Sequence, residues 1–234
     1  MPFAYFGAKH GLASKYPRPK FPLIVEPFAG AAGYSSYHAR RTHGQYQAVL
    51  NDLDILVVET WRRLQTMTSA DLDEIDRALA EDERTDDMIL KGLSGGHDWR
   101  PTSRKITGRM KKDWPWVRSR IEATLPFIRD WEIIHGDYRD LPNVEATWFI
   151  DPPYQSIEHD KAAGAVYNVS NAGLDFAELA EWCQSRRGQV IVCEQSPASW
   201  LPFSPIGTQS NASATVERRT EVVWMSDQQQ ESLF

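Results

Sequence analysis

A carboxylate, two prolines and an aromatic ring stand in a row at Asp151-Pro152-Pro153-Tyr154, directly after the apolar run Ala146, Thr147, Trp148, Phe149, Ile150. Each proline holds φ at about −65° and lacks an amide donor, so the segment presents its functional groups with little freedom to move. A carboxylate oxygen and a backbone carbonyl can each accept one hydrogen of an exocyclic NH2 group while the ring stacks on the heterocycle that carries it. The chemistry this suits is the holding of a planar amine. Taken alone, the tetrapeptide also reads as a strand entering a Pro-Pro turn beside a chance Asp and Tyr.

Other polar groups follow apolar runs in the same way. Leu23, Ile24 and Val25 end at Glu26, and Pro27-Phe28-Ala29-Gly30-Ala31-Ala32-Gly33 follows. Gly30 and Gly33 let the backbone approach a ligand closely, but their spacing is not G-x-G-x-x-G, which disfavours a nicotinamide cofactor. Asn51-Asp52 closes the run from Tyr46 to Leu50. Asp52 is placed either to accept from a ribose diol or to cap the helix that follows. In His135-Gly136-Asp137-Tyr138, Asp137 suits an adenine amine with Tyr138 alongside, or simply a turn.

The elements that would position these groups alternate. Strands are expected at 23–25, 46–50, 132–135, 146–150, 189–193 and 220–225, and helices at 34–41, 53–64 and 174–187. Such alternation predicts an α/β doubly wound sheet, in which ligands bind at the carboxyl ends of the strands. The expected organisation is a catalytic domain over 1–69 and 131–226, a small mainly helical insertion over 70–130, and a flexible tail over 227–234.

The chain has 234 residues and a formal net charge of −6, which argues mildly against a protein that coats nucleic acid. Charge is nevertheless uneven: acids dominate 71–87, and a basic stretch follows with Arg100, Arg104, Lys105, Arg109, Lys111, Lys112, Arg118 and Arg120. That stretch is a candidate phosphate-binding face, although basic runs are often only solvated surface. Cys183 and Cys193 form no C-x-x-C pair and no His cluster stands at ligand spacing, so neither a zinc site nor another metal site is expected. No signal-peptide stretch and no run of about 18 apolar residues occurs, so no membrane association is expected and the expected compartment is the cytoplasm.

The glycine turn, Asn51-Asp52, Gly136-Asp137-Tyr138 and Asp151-Pro152-Pro153-Tyr154, in that order and preceded by Tyr5-Phe6-Gly7-Ala8-Lys9, resemble the amino-group DNA methyltransferases. The order is that of the alpha group of N6-adenine methyltransferases typified by the bacterial Dam enzymes. Ala32 departs from a usual glycine, and Ala8 from a usual Gly or Ser. The resemblance implies a Rossmann-like S-adenosylmethionine-dependent methyltransferase sheet. It implies S-adenosyl-L-methionine held by Tyr5, Lys9, Glu26, Phe28, Gly30, Asp52, Asp137, Tyr138 and Asp151. Catalysis would fall to Asp151, Pro152, Pro153 and Tyr154, acting on a flipped adenine under a loop bearing His159, Lys161 and Tyr167. DNA is the implied substrate, contacted by Arg100, Arg104, Lys105, Arg109, Lys111 and Lys112, with RNA as the enzyme alternative and an idle nucleic-acid-binding homologue as the third reading. The host would be bacterial, or a bacterium carrying a phage. The terminal Gln230-Glu231-Ser232-Leu233-Phe234 resembles the peptide by which bacterial proteins dock on the sliding clamp, through Gln230, Leu233 and Phe234.

Overall fold

Short β-branched and aromatic runs separated by amphipathic stretches build a three-layer α/β structure. The computed structural model describes residues 12–83, 106, 108–155, 173–208 and 220–226. Its strands are β1 (Leu23–Glu26), β2 (Gln47–Asp52), β3 (Glu132–His135), β4 (Ala146–Ile150), β5 (Gly188–Gln195), β6 (Ser204–Thr208) and β7 (Thr220–Met225). Its helices are α1 (Gly33–Arg41), α2 (Ile55–Thr66), α3 (Ser69–Ala80), α4 (Gly108–Glu122), α5 (Leu125–Ile128) and α6 (Phe176–Gln184), with a 3-10 turn at Tyr138–Asp140.

The strands join one sheet in the order β3-β2-β1-β4-β5-β7-β6. Pairing is parallel from β3 through β5, while β7 runs antiparallel to both β5 and β6. This is the doubly wound, Rossmann-like α/β sheet expected from the sequence. Chain order moves outward from β1 to β3 and then returns to β4 on the other side of β1. The crevice between the carboxyl ends of β1 and β4 is therefore the topological switch point, where open α/β sheets take their ligands.

Period-two alternation divides the side chains of β4 between two faces. Trp148 and Ile150 pack with Val190, Val192 and the α6 residues Leu179 and Cys183. Phe149 faces the other way, among Tyr16, Tyr34, Ile191 and Val223, and its ring stacks on Tyr34 at 4.2 Å and 6°. A further cluster joins Leu50 of β2 to Trp61 and Leu64 of α2, to Leu72, Ile75 and Leu79 of α3, and to Trp114, Val117 and Ile121 of α4. The described helices of the expected insertion thus share the core that packs on β2.

Local signals set the element ends. Asp54, rather than Asp52, caps α2 by accepting from the Leu56 amide at 2.9 Å. Thr68 and Asp71 form a capping box that opens α3. Strand β6 was not expected: Pro205 removes a donor from it, and it forms at the margin of the sheet, where a missing ladder bond is tolerated.

At the start of β5, Gly188 has φ of +99°, and a Cβ there would lie 2.3 Å from the carbonyl oxygen of Ala146. Gly188→Ala should therefore separate the paired starts of β4 and β5 and destabilise the chain by about 3 kcal/mol or more, strain and collision acting together. Gly108→Ala, which meets nothing within 4 Å, is the control and should be close to neutral in urea unfolding.

Candidate active site

Two adjacent polar residues at the end of β2 organise the loops around the switch point. The Asn51 amide donates to the carbonyl oxygens of Pro27 at 2.9 Å and Gly136 at 3.0 Å, joining the turns after β1 and β3. Asp52 accepts from the Gly30 amide at 2.9 Å through Oδ2 and from the Asp54 amide at 2.9 Å through Oδ1. The buried indole of Trp61 donates to the Gly30 carbonyl at 2.8 Å, and the Ala29 amide donates to the Asn51 carbonyl at 2.9 Å. Gly30 and Ala32 both adopt positive φ, at 47° and 41°. Ala32 thus carries a side chain where the left-handed backbone favours glycine.

Glu26, at the end of β1, lies under this turn and is 2 % exposed. Ala32 caps α1 without a side-chain hydrogen bond, and Glu26 supplies what it lacks by accepting from the Ser35 amide at 2.8 Å. Burial raises the Glu26 carboxyl to about 8, against the pull of hydrogen bonding from Ser35, and the neighbouring Asp151 adds to the rise. Burial likewise raises Asp52 to about 6 despite the amides that favour its charged form.

Asp151 leaves the carboxyl end of β4 opposite this turn, followed by a buried Pro152 and half-buried Pro153 and Tyr154. The Tyr154 hydroxyl donates to Oε1 of Glu221 at 2.8 Å, and the Gln155 amide donates to Oε2 of Glu194 at 3.1 Å. Glu194 also accepts from the Trp200 indole at 2.9 Å, and burial raises its carboxyl to about 7. Sequence reasoning missed Glu194 and Glu221 as site residues. A signal for Glu194 existed, because Val190-Ile191-Val192-Cys193-Glu194 repeats the pattern of Leu23-Ile24-Val25-Glu26, an apolar run closed by a carboxylate.

The expected site residues thus fall into several groups. Glu26, Phe28, Gly30, Asp52 and Asp151 lie around the switch point. Asp137 starts the 3-10 turn, accepts from the Arg139 amide at 2.9 Å and pairs with the Arg139 guanidinium at 2.6 Å, which lowers its carboxyl. Its turn-forming role is therefore the one observed. Tyr138 is buried against Phe28, with ring centroids 5.2 Å apart, and against Trp182 at 5.1 Å. Within the basic stretch, Lys111 pairs with Asp82 at 2.9 Å, and Arg118 pairs with Asp73 at 2.8 Å and also with Asp76 and Glu122. The acidic run on α3 accordingly opposes charges that in sequence had only Asp113 beside them. Lys112 is exposed and Arg109 lies on the first turn of α4. Tyr5, Lys9, Arg100, Arg104, Lys105, the 156–169 part of the covering loop and the 227–234 tail lie outside the described residues. Among the described residues, no three His, Cys, Asp or Glu side chains gather to hold a metal, and no helix is long and apolar enough to cross a membrane.

No protein-family model matches the chain, and neither does any curated protein. Among solved structures, 28 chains match. Two are structures of the rRNA methyltransferase aviRa from Streptomyces viridochromogenes, each covering 91% of this chain. One is 11% identical with a TM-score of 0.45 over 80% of its own length, and the other 13% identical with a TM-score of 0.44 over 79%. The likeness is one of overall fold.

The buried Glu26 makes stability depend on pH. Its folded-state value, about 8, lies above the ordinary 4.5, so the unfolded chain ionises first. Stability present below 4.5 is then lost as pH rises towards 8, and Glu194 and Asp52 add to the loss in the lower part of that window. Glu26→Gln keeps an acceptor for the Ser35 amide and cannot ionise. It should flatten the fall of unfolding free energy between pH 5 and 8, an effect on the order of a few kcal/mol, in urea titrations at stepped pH.

Proposed function

We propose that this chain transfers a methyl group from S-adenosyl-L-methionine to the exocyclic amine of an adenine in DNA. The observation that carries the reading is the placement of Asp151-Pro152-Pro153-Tyr154 at the switch point, across the crevice from the glycine turn and Asp52. A rigid amine-holding segment faces a turn suited to a nucleoside-bearing cofactor.

The residues present fit that cofactor. A carboxylate offers roughly four acceptor positions, so the amides of Gly30 and Asp54 leave Asp52 capacity for a ribose diol. Leu53, half exposed beside Asp52, adds an apolar face for a purine. S-adenosyl-L-methionine, when bound, supplies an electrophilic methyl group on a sulfonium. The chain's own residues hold the amine. Asp151 and the Pro152 carbonyl accept its two hydrogens and draw the nitrogen towards tetrahedral geometry, while the Tyr154 ring supports the base. Orientation and preorganised acceptors then lower the barrier without a covalent intermediate: as the nitrogen lone pair takes the methyl group, the sulfonium would leave as a neutral thioether, and the proton that the methylated nitrogen must shed passes by way of Asp151 to water. A base held in this way must first leave the duplex, and the energy of unstacking comes from the contacts it gains.

Nucleoside mass spectrometry of DNA from a methylation-deficient host expressing this chain should detect N6-methyladenine, and Asp151→Ala should abolish it with the fold retained by circular dichroism. Methylation by purified protein of stem-loop RNA but not of duplex DNA would replace the DNA reading with its RNA counterpart. A variant Asp151→Ala that methylates at the wild-type rate would remove the mechanism.

Arg104, Lys105 and Arg109 are proposed as phosphate contacts. Replacing the three together by Ala should weaken DNA binding and reduce the slope of log affinity against log salt by roughly two to three. Cofactor affinity should not change. An unaltered salt slope would place the duplex elsewhere.

A further inference from the structure

We propose that Glu221 is a positioning residue that holds the base-supporting ring of Tyr154 from below and ties it to the amino-terminal segment through Tyr16. The inference rests on the methyl-transfer reading. A single oxygen, Glu221 Oε1, accepts from the Tyr154 hydroxyl at 2.8 Å and from the Tyr16 hydroxyl at 2.7 Å. Glu221 is 3 % exposed, and burial pushes both phenols well above their ordinary range, so both remain donors and the carboxylate must accept. Tyr16 is itself fixed, its ring meeting Phe149 edge-on at 5.1 Å and 78°.

The geometry explains why a ring in this position needs support. Pro152 and Pro153 restrict the backbone up to Tyr154 but not its side chain, which retains two torsions. Anchoring the hydroxyl removes the freedom of χ1 and leaves rotation about the ring's own axis. The next residue is held too, because the Gln155 amide donates to Glu194 at 3.1 Å. In the antiparallel register Glu221 lies opposite Gln195 and Val222 opposite Glu194, so two consecutive loop residues are clasped by neighbouring positions of one strand pair. A stacking platform that wanders by about 1 Å can lower turnover on the order of 100-fold even though it forms and breaks no bond.

Three variants test the assignment. Tyr154→Phe retains the ring and removes the anchoring hydroxyl, Glu221→Ala removes the acceptor, and Glu221→Gln retains an acceptor oxygen. We expect kcat for adenine methylation to fall about tenfold or more in the first two, with cofactor Kd within twofold of wild type, and to recover most of the loss in Glu221→Gln. The double variant Tyr154→Phe, Glu221→Ala should be no slower than the slower single one. Hydrogen exchange of the peptide spanning 149–155 should quicken in Tyr154→Phe at little-changed thermal midpoint, and in Glu221→Ala with a lowered midpoint because the buried Tyr16 hydroxyl then loses its acceptor. If Glu221→Ala does not fold, Tyr154→Phe and Glu221→Gln carry the test. Multiplicative losses in the double variant, or wild-type exchange and kcat in Tyr154→Phe, would overturn the assignment. A wild-type protein that methylates no nucleic acid overturns the functional reading instead, and exchange alone then decides whether the clasp exists.

Discussion

The hydrogen bonds of Asn51 and Asp52 are the constraint on which the site depends. Parallel strands bring several loops to one edge but do not fix those loops relative to each other. Here one amide side chain spans the carbonyls of Pro27 and Gly136, and the adjacent carboxylate holds the amide of Gly30. Three strand ends are thereby tied by two neighbouring residues. These bonds are made where water is scarce, so losing one partner would strand a buried carbonyl or amide, which is costlier than the same loss at a surface.

The same edge carries an unusual load of carboxyl groups. Glu26, Asp52, Glu194 and Glu221 are each buried or partly buried, and each accepts hydrogen bonds from an amide, a phenol or an indole. Hydrogen bonding offsets part of the desolvation these acids suffer, and the residue of that penalty is visible as the raised carboxyls of Glu26, Asp52 and Glu194. Burial of this kind is poor economy for a scaffold but suits a crevice that must fix polar groups against the moment when a ligand excludes the remaining water.

Much of the fold is legible in the chain because its elements are locally consistent. The runs at 132–135, 146–150 and 220–225 coincide with β3, β4 and β7, where a short apolar stretch bounded by polar residues admits one reading. Of the polar residues that follow apolar runs, Glu26, Asp52 and Asp151 stand at the ends of β1, β2 and β4 around the switch point, whereas Asp137 forms a turn. What stayed hidden depends on pairing across the sequence. The acids of α3 and the bases of α4 are each visible as a run, yet the pairing of Arg118 with Asp73 exists only because Leu72 and Val117 bury their helices in one core. Similarly, Glu221 reads as an ordinary strand residue until the antiparallel register of β7 sets it beside the loop after β4. Asp52 against Asp54 as the cap of α2 was undecidable from spacing, since either carboxylate precedes the helix; the backbone turn gave Asp54 the reach and left Asp52 to Gly30.

The tryptophans carry a consequence beyond packing. Each of four indole N–H groups is committed to a different junction: Trp61 to the Gly30 carbonyl, Trp200 to Glu194 beneath the loop after β4, Trp114 to Asp76 between α3 and α4, and Trp148 to the Arg187 carbonyl where β5 begins. Indole protons resonate apart from the amide envelope in a nitrogen-edited spectrum. The molecule therefore carries its own set of resonant labels, two beside the loops after β1 and β4 and two at joints away from them, so a change at the glycine turn can be followed separately from movement of the opposite loop without introducing any foreign probe.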